Sequence, residues 1–102
     1  MRHAIHRVTS FKIVGSHALA ITFADGVTRI IDFLPVLKGE LYGPLREVNL
    51  FRQVELDPVA HTLVWPNGAD FDPATLHDWP DVADQFAALA DRWAEARSSE
   101  AS

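Results

Sequence analysis

The spacing of apolar residues changes once along this chain, and that change limits the fold more than any other feature of the sequence. In the strand segments before about residue 65 they recur at every second position, the repeat of a half-buried strand, and in the last third they recur at helical spacing. Phe11 and Ile13 share one strand face; Leu19, Ile21 and Phe23 share another, with Ala18, Ala20 and Thr22 opposite. Val14-Gly15-Ser16-His17 supplies a turn between them. Ala24-Asp25-Gly26 supplies a second before Val27-Thr28-Arg29-Ile30-Ile31, because Asp-Gly takes the positive φ angles that tight hairpins need. An antiparallel meander is predicted. The alternation breaks at Thr9-Ser10, where Val8 and Phe11 fall on opposite faces, so the first strand is expected to bulge or to start late. Val54-Glu55-Leu56-Asp57 and Thr62-Leu63-Val64-Trp65 flank the turn Pro58-Val59-Ala60-His61 and predict a second hairpin.

Between the hairpins no long helix fits: Leu34-Pro35-Val36-Leu37-Lys38-Gly39 reads as a short helical turn closed by glycine, Gly43-Pro44 interrupts the chain, and Asn49-Leu50-Phe51-Arg52 reads as another short turn. Asp72 before Pro73 predicts a short helix with the aspartate carboxylate as its N-cap. After Asp78-Trp79-Pro80, residues 81–97 predict one amphipathic helix. Val82, Phe86, Leu89 and Trp93 lie within roughly 60° of arc, and Ala83, Ala87, Ala90 and Ala94 widen the apolar sector to about 160°. The large residues are expected to cover the sheet, leaving the flank marked by Ala87 and Ala94 for a second copy or another protein. Asp81 and Asp84 at the helix start, with Arg92 and Arg97 near its end, suit the helix dipole, and residues 98–102 are expected to fray. The expected architecture is α+β: one antiparallel sheet of about five strands, a short helix, and a longer C-terminal amphipathic helix over one face.

With 102 residues the chain fits a single domain, 1–102, and its 48% hydrophobic content builds a core without staples. Cysteine is absent, which excludes thiol nucleophiles, thiolate metal sites and disulfides. The first residues, Met1-Arg2-His3-Ala4-Ile5-His6-Arg7, lack the apolar run of a secretory signal, and no stretch is apolar enough to span a membrane, so a cytoplasmic protein is expected. Net charge is −5, which argues against a nucleic-acid surface. The charge is uneven: residues 1–50 carry six Lys or Arg against four Asp or Glu, and residues 51–102 carry three against ten. The acidic second half is either a solvated face or a surface for a basic partner.

Candidate chemistry is sparse. Gly15, Gly26, Gly39, Gly43 and Gly68 form neither a phosphate loop nor a dinucleotide fingerprint, and Ser10 and Ser16 lack a nucleophile-elbow context. His3 and His6 would point to opposite strand faces while His17, His61 and His77 sit in separate turns, so neither a metal site nor a cofactor is expected. The densest polar run is Trp65-Pro66-Asn67-Gly68-Ala69-Asp70-Phe71-Asp72-Pro73. It lacks the glycine and distal glutamate of a calcium loop and reads as structure: Asn67-Gly68 turns the chain, Asp70 bonds nearby backbone N–H groups, and Asp72 caps.

That run followed by Leu76, together with Phe23-Ala24-Asp25-Gly26 and Asp32-Phe33-Leu34-Pro35-Val36-Leu37, resembles a bacterial family known only as domain of unknown function 2442. Leu45-Arg46-Glu47 and residues 51–57 fall in the family's order, so the resemblance covers about residues 8–76. It implies a small α+β domain with no established enzymatic activity, frequently encoded beside a second small protein in a toxin and antitoxin-like arrangement. The family commonly has tyrosine where this chain has His17 and His77. Some relatives carry a helix-turn-helix after the shared region, for which the single helix expected after Asp78 is too little. The leading expectation is a non-catalytic, possible antitoxin-like interaction protein, its partner a small protein encoded nearby or a second copy. The alternative is a small-molecule or ion-binding domain, or a weak hydrolase, built on Asp70, Asp72 and His77.

Overall fold

The computed structural model describes residues 6–101, with side chains to residue 94. His3 lies outside the described residues. Three strands, β1 (Val8–Gly15), β2 (Ala18–Phe23) and β3 (Thr28–Asp32), form an antiparallel meander in the order β1-β2-β3. Ile13 and Ile31 pair with Leu19, and Phe11 and Arg29 pair with Ile21, so one face carries the apolar set. The expected bulge is present: β1 shifts register between Val8 and Ser10, which returns Val8 to the buried face. Gly26 closes the β2–β3 turn at φ 88°, and the Asp25 carboxylate accepts the Val27 N–H at 3.0 Å.

Two 3-10 turns, Leu34–Val36 and Gly43–Arg46, and two one-turn helices, α1 (Gly39–Tyr42) and α2 (Val48–Phe51), make up the middle of the chain. The second hairpin follows as β4 (Glu55–Asp57) and β5 (Thr62–Val64). It forms its own two-stranded sheet, so the single sheet of about five strands is corrected to three plus two. Among the described residues a backbone bond from the Val8 N–H to the His61 carbonyl, 2.9 Å, runs from β1 to the turn of the second hairpin, and Val64 of β5 bridges separately to Asp70. Strands of three residues are too short to extend a ladder past the β1 bulge.

Behind the meander lies an aromatic core. Phe33 follows β3 directly and is fully buried. Its ring centroid lies 5.1 Å from Phe71, 5.6 Å from Trp79, 5.9 Å from Phe51 and 6.2 Å from Trp65. Offset and edge contacts of this kind add about 0.5–1.5 kcal/mol each beyond area burial.

The chain ends in α3 (Pro73–His77) and α4 (Trp79–Ala101), with Asp78 between them. Pro80 stands in the first turn of α4, where its missing N–H leaves no bond unmade. The helix is longer than the sequence pattern predicts, and it is rotated. Trp79 and Ala90 are buried, and Val82, Ala83, Phe86, Ala87 and Trp93 pack against the core, whereas Leu89 is 44% exposed. At 100° per residue the inward face sits about 60° toward the alanines from the expected stripe. The alanine flank is therefore used within the protein: Ala87 touches the core, and Ala94 lines a groove with Leu37, Gly39 and Arg46.

Gly39 explains the close approach. A Cβ there would stand 3.0 Å from the Trp93 Cβ, and its φ of 82° is left-handed. Lys38 beside it pairs with Asp91 of α4. Gly39→Ala is expected to lower stability by more than the ~1–2 kcal/mol that left-handed backbone costs an L-residue. Gly26→Ala, at φ 88° with nothing within 4 Å of the new Cβ, should cost only that strain. Denaturant midpoints of the two variants check the ranking.

Candidate functional site

The polar run from Trp65 to Pro73 folds into a junction that buries Trp65, Ala69 and Phe71 and leaves its polar residues exposed. The Trp65 N–H and carbonyl bond Ala69 and Gly68 across the turn, Gly68 sits at φ 91°, and the Trp65 indole donates to the Phe51 carbonyl at 2.9 Å. Asn67 spans outward: its Oδ1 accepts the Ala69 N–H at 3.1 Å, and its Nδ2 donates to the Leu41 carbonyl at 3.0 Å. The Tyr42 hydroxyl donates to the Asp70 carbonyl at 2.8 Å, and the Thr62 hydroxyl donates to the Phe71 carbonyl. Burial first, then the charge of Asp70, raises the Tyr42 pKa above its usual value. The run thus ties α1, α2 and the second hairpin together.

Two expectations for this run are corrected. Asn67, not the Asp70 carboxylate, holds the local backbone N–H. Asp72 occupies the N-cap position of α3 with extended backbone, but its side chain makes no capping bond. Pro73 sets the entry to the helix, the Asp72 carbonyl accepts the Leu76 N–H at 3.1 Å, and the carboxylate stays in solvent. Asn67→Ala should therefore cost about 1–2 kcal/mol for two lost bonds, while Asp72→Ala should stay within about 0.5 kcal/mol, both read by chemical denaturation.

The histidines separate into two environments. His17 is 8% exposed; its Nε2 donates to the Arg46 carbonyl at 2.7 Å, its Nδ1 meets the Ser16 hydroxyl at 3.2 Å, and its carbonyl accepts the Phe33 N–H. It pins the first hairpin to the core. His77, at the end of α3, sits between two carboxylates, with Asp25 Oδ2 at 2.7 Å from Nε2 and Asp78 Oδ1 at 3.2 Å from Nδ1. The His6 ring stacks on it at 3.7 Å, the Phe23 ring meets it edge-on at 4.9 Å, and Arg29 Nε donates to its carbonyl at 2.7 Å. Desolvation pulls the His77 pKa down, but the bonds to Asp78 and Asp25 and their charges outweigh it, so the net direction is up. The Val27 N–H and then His77 hold Asp25 below its usual value.

This grouping departs from the expectation of isolated histidines. The donor atoms of His6, His77 and Asp78 lie within 4.8 Å of one another, a set able to hold a cation. Asp70 and Asp72, expected beside His77 in the alternative reading, make no hydrogen bond or ion pair to it among the described residues. Pairing of His77 with Asp25 spans 52 positions, and no local motif marks it in the sequence.

A third feature is the outer face of the meander. Lys12, Ala20 and Ile30 form one cross-strand row, flanked by Ser10-Thr22-Thr28 and by Gly15-Ala18-Asp32. Ile30 is 75% exposed and Val14 47%. No helix among the described residues is long and apolar enough to cross a membrane.

The fold and these sites define a small α+β domain in which hydrogen bonds tie the polar run to the elements around it. Residues 8–80 match the family described as Protein of unknown function (DUF2442), and the chain belongs to that family. No curated protein and no solved structure matches the chain.

Proposed function

We propose that this protein is a protein-interaction domain whose contact surface is the outer face of the meander. One observation carries the reading: Ile30, in the middle of an edge strand, is 75% exposed, while Leu19, Ile21, Phe23 and Ile31 of the same sheet are buried on the inner face. Around it Ala18, Ala20 and Thr22 keep the face low, so a partner's side chains reach the backbone and close around Ile30. The edge of β3 away from β2 has no backbone partner among the described residues, which supports a partner adding a strand there. An antitoxin-like role is the narrower form of the proposal. In it the acidic balance of residues 51–102 draws a basic partner, and binding weakens with salt. Of the α4 alanines, Ala83, Ala87 and Ala90 pack against the core, which leaves Ala94, in its groove, as the flank residue open to a partner.

Ile30→Asp tests the proposal. The side chain already stands in water, so circular dichroism should be unchanged and the denaturation midpoint should move by less than about 0.5 kcal/mol. The same change should lower the mass seen by light scattering or release a protein co-purified from the native host. A wild-type chain that stays monomeric at high concentration and retains no partner would sink the reading.

A further inference from the structure

The His77 cluster stands apart from the outer face of the meander and has its own chemistry. A carboxylate oxygen faces each nitrogen of the His77 ring, so two hydrogen bonds require two ring protons. In the neutral ring only one nitrogen carries hydrogen. With Nε2–H directed at Asp25 Oδ2, 2.7 Å away, the Nδ1 lone pair is left facing Asp78 Oδ1 at 3.2 Å. Either a second ring proton or a metal ion on Nδ1 relieves that contact, and the metal reading has a geometric signature. The distance is close to the roughly 3.3 Å edge between two ligands of a tetrahedral ion with bonds of about 2.0–2.1 Å.

Further observations point the same way. His6 supplies a third donor within 4.8 Å of the other two. Its main chain is held where the next residue, Arg7, accepts the Ala24 N–H at 2.9 Å, but His6 itself lies ahead of β1 and belongs to no helix or strand. Its ring is stacked on His77 at 3.7 Å, so sharing an ion with His77 requires it to rotate out of the stack. Asp25, on the far side of the His77 ring, is placed as the outer carboxylate that orients a metal-bound histidine and makes its free nitrogen more basic.

We propose that His6, His77 and Asp78 form a zinc site, with Asp25 as its supporting carboxylate and water in the fourth position. Two imidazoles and one carboxylate suit zinc better than calcium or magnesium, which take oxygen donors. Bound zinc joins the segment before β1, the β2–β3 turn and the α3–α4 junction.

The test is titration of zinc chloride into tag-free, chelator-stripped protein, followed by calorimetry and by the nitrogen chemical shifts of the histidine rings. One equivalent should bind, the His77 Nδ1 resonance should move, and the thermal midpoint should rise. His6→Ala, a change outside every helix and strand, should weaken binding at least tenfold with the fold retained. Asp25→Asn keeps all three ligands and should weaken it about 10- to 100-fold. Asp70→Ala and Asp72→Ala should leave it unchanged. No binding at millimolar zinc, unaltered affinity in His6→Ala, or loss confined to the Asp70 and Asp72 variants would overturn the proposal.

Discussion

The burial of Phe33 is the contact on which the rest of the structure depends. A three-stranded meander and a hairpin with three-residue strands are each marginal alone in water. Phe33 leaves β3 with its N–H on the His17 carbonyl, and its ring then meets Phe51 of α2, Trp65 after β5, Phe71 before α3 and Trp79 at the start of α4. One side chain thereby touches nearly every later part of the chain. Burying a phenylalanine contributes roughly 1.5–3 kcal/mol, and the ring contacts add to it. In a small domain that is a large share of the net stability. His17 and Trp65 reinforce the same junction by spending their polar atoms on the carbonyls of Arg46 and Phe51. Every buried side-chain nitrogen and oxygen among the described residues has a partner.

What was legible in the sequence was local. Alternation located the strands, Asp25-Gly26 located a turn, and the break at Thr9 located the bulge, because each depends on neighbours a few residues apart. The division into two sheets was hidden, since strand pairing between hairpins is decided by distant contacts such as Val8 with His61. The α4 face was misjudged for a different reason. Side-chain size favoured the Leu89 side, but the helix buries Trp79 and Ala90, leaves Leu89 exposed and sets Trp93 against Gly39 of α1. Phe33 carries no periodic signal, as it sits where the strand pattern has just stopped.

The site was legible only in part. The Asn67-Gly68 turn was legible because Asn-Gly chemistry is local, and the Asn67 side chain closes it on the Ala69 N–H. The grouping of His6, His77 and Asp25 was not, since the three belong to different parts of the chain and meet only when the meander packs beside α3. Asp78 follows His77 directly, yet adjacency alone does not show that their side chains face each other. The region matched by the family, residues 8–80, ends just past Trp79, whose ring packs against Phe33 and Phe71.

The order of Phe33's partners along the chain also governs how the protein emerges from the ribosome. The meander ends at Asp32, so all three of its strands are synthesised before the later aromatic residues that cover its apolar face. Phe51, Trp65, Phe71 and Trp79 arrive in turn, so the nascent chain acquires its cover in instalments. At about 5–20 residues per second, roughly 2 to 9 seconds separate synthesis of Phe33 from that of Trp79. During that interval the bare face and the open edge of β3 are available to any neighbouring chain, which makes crowded translation the stage at which this fold is most exposed to aggregation.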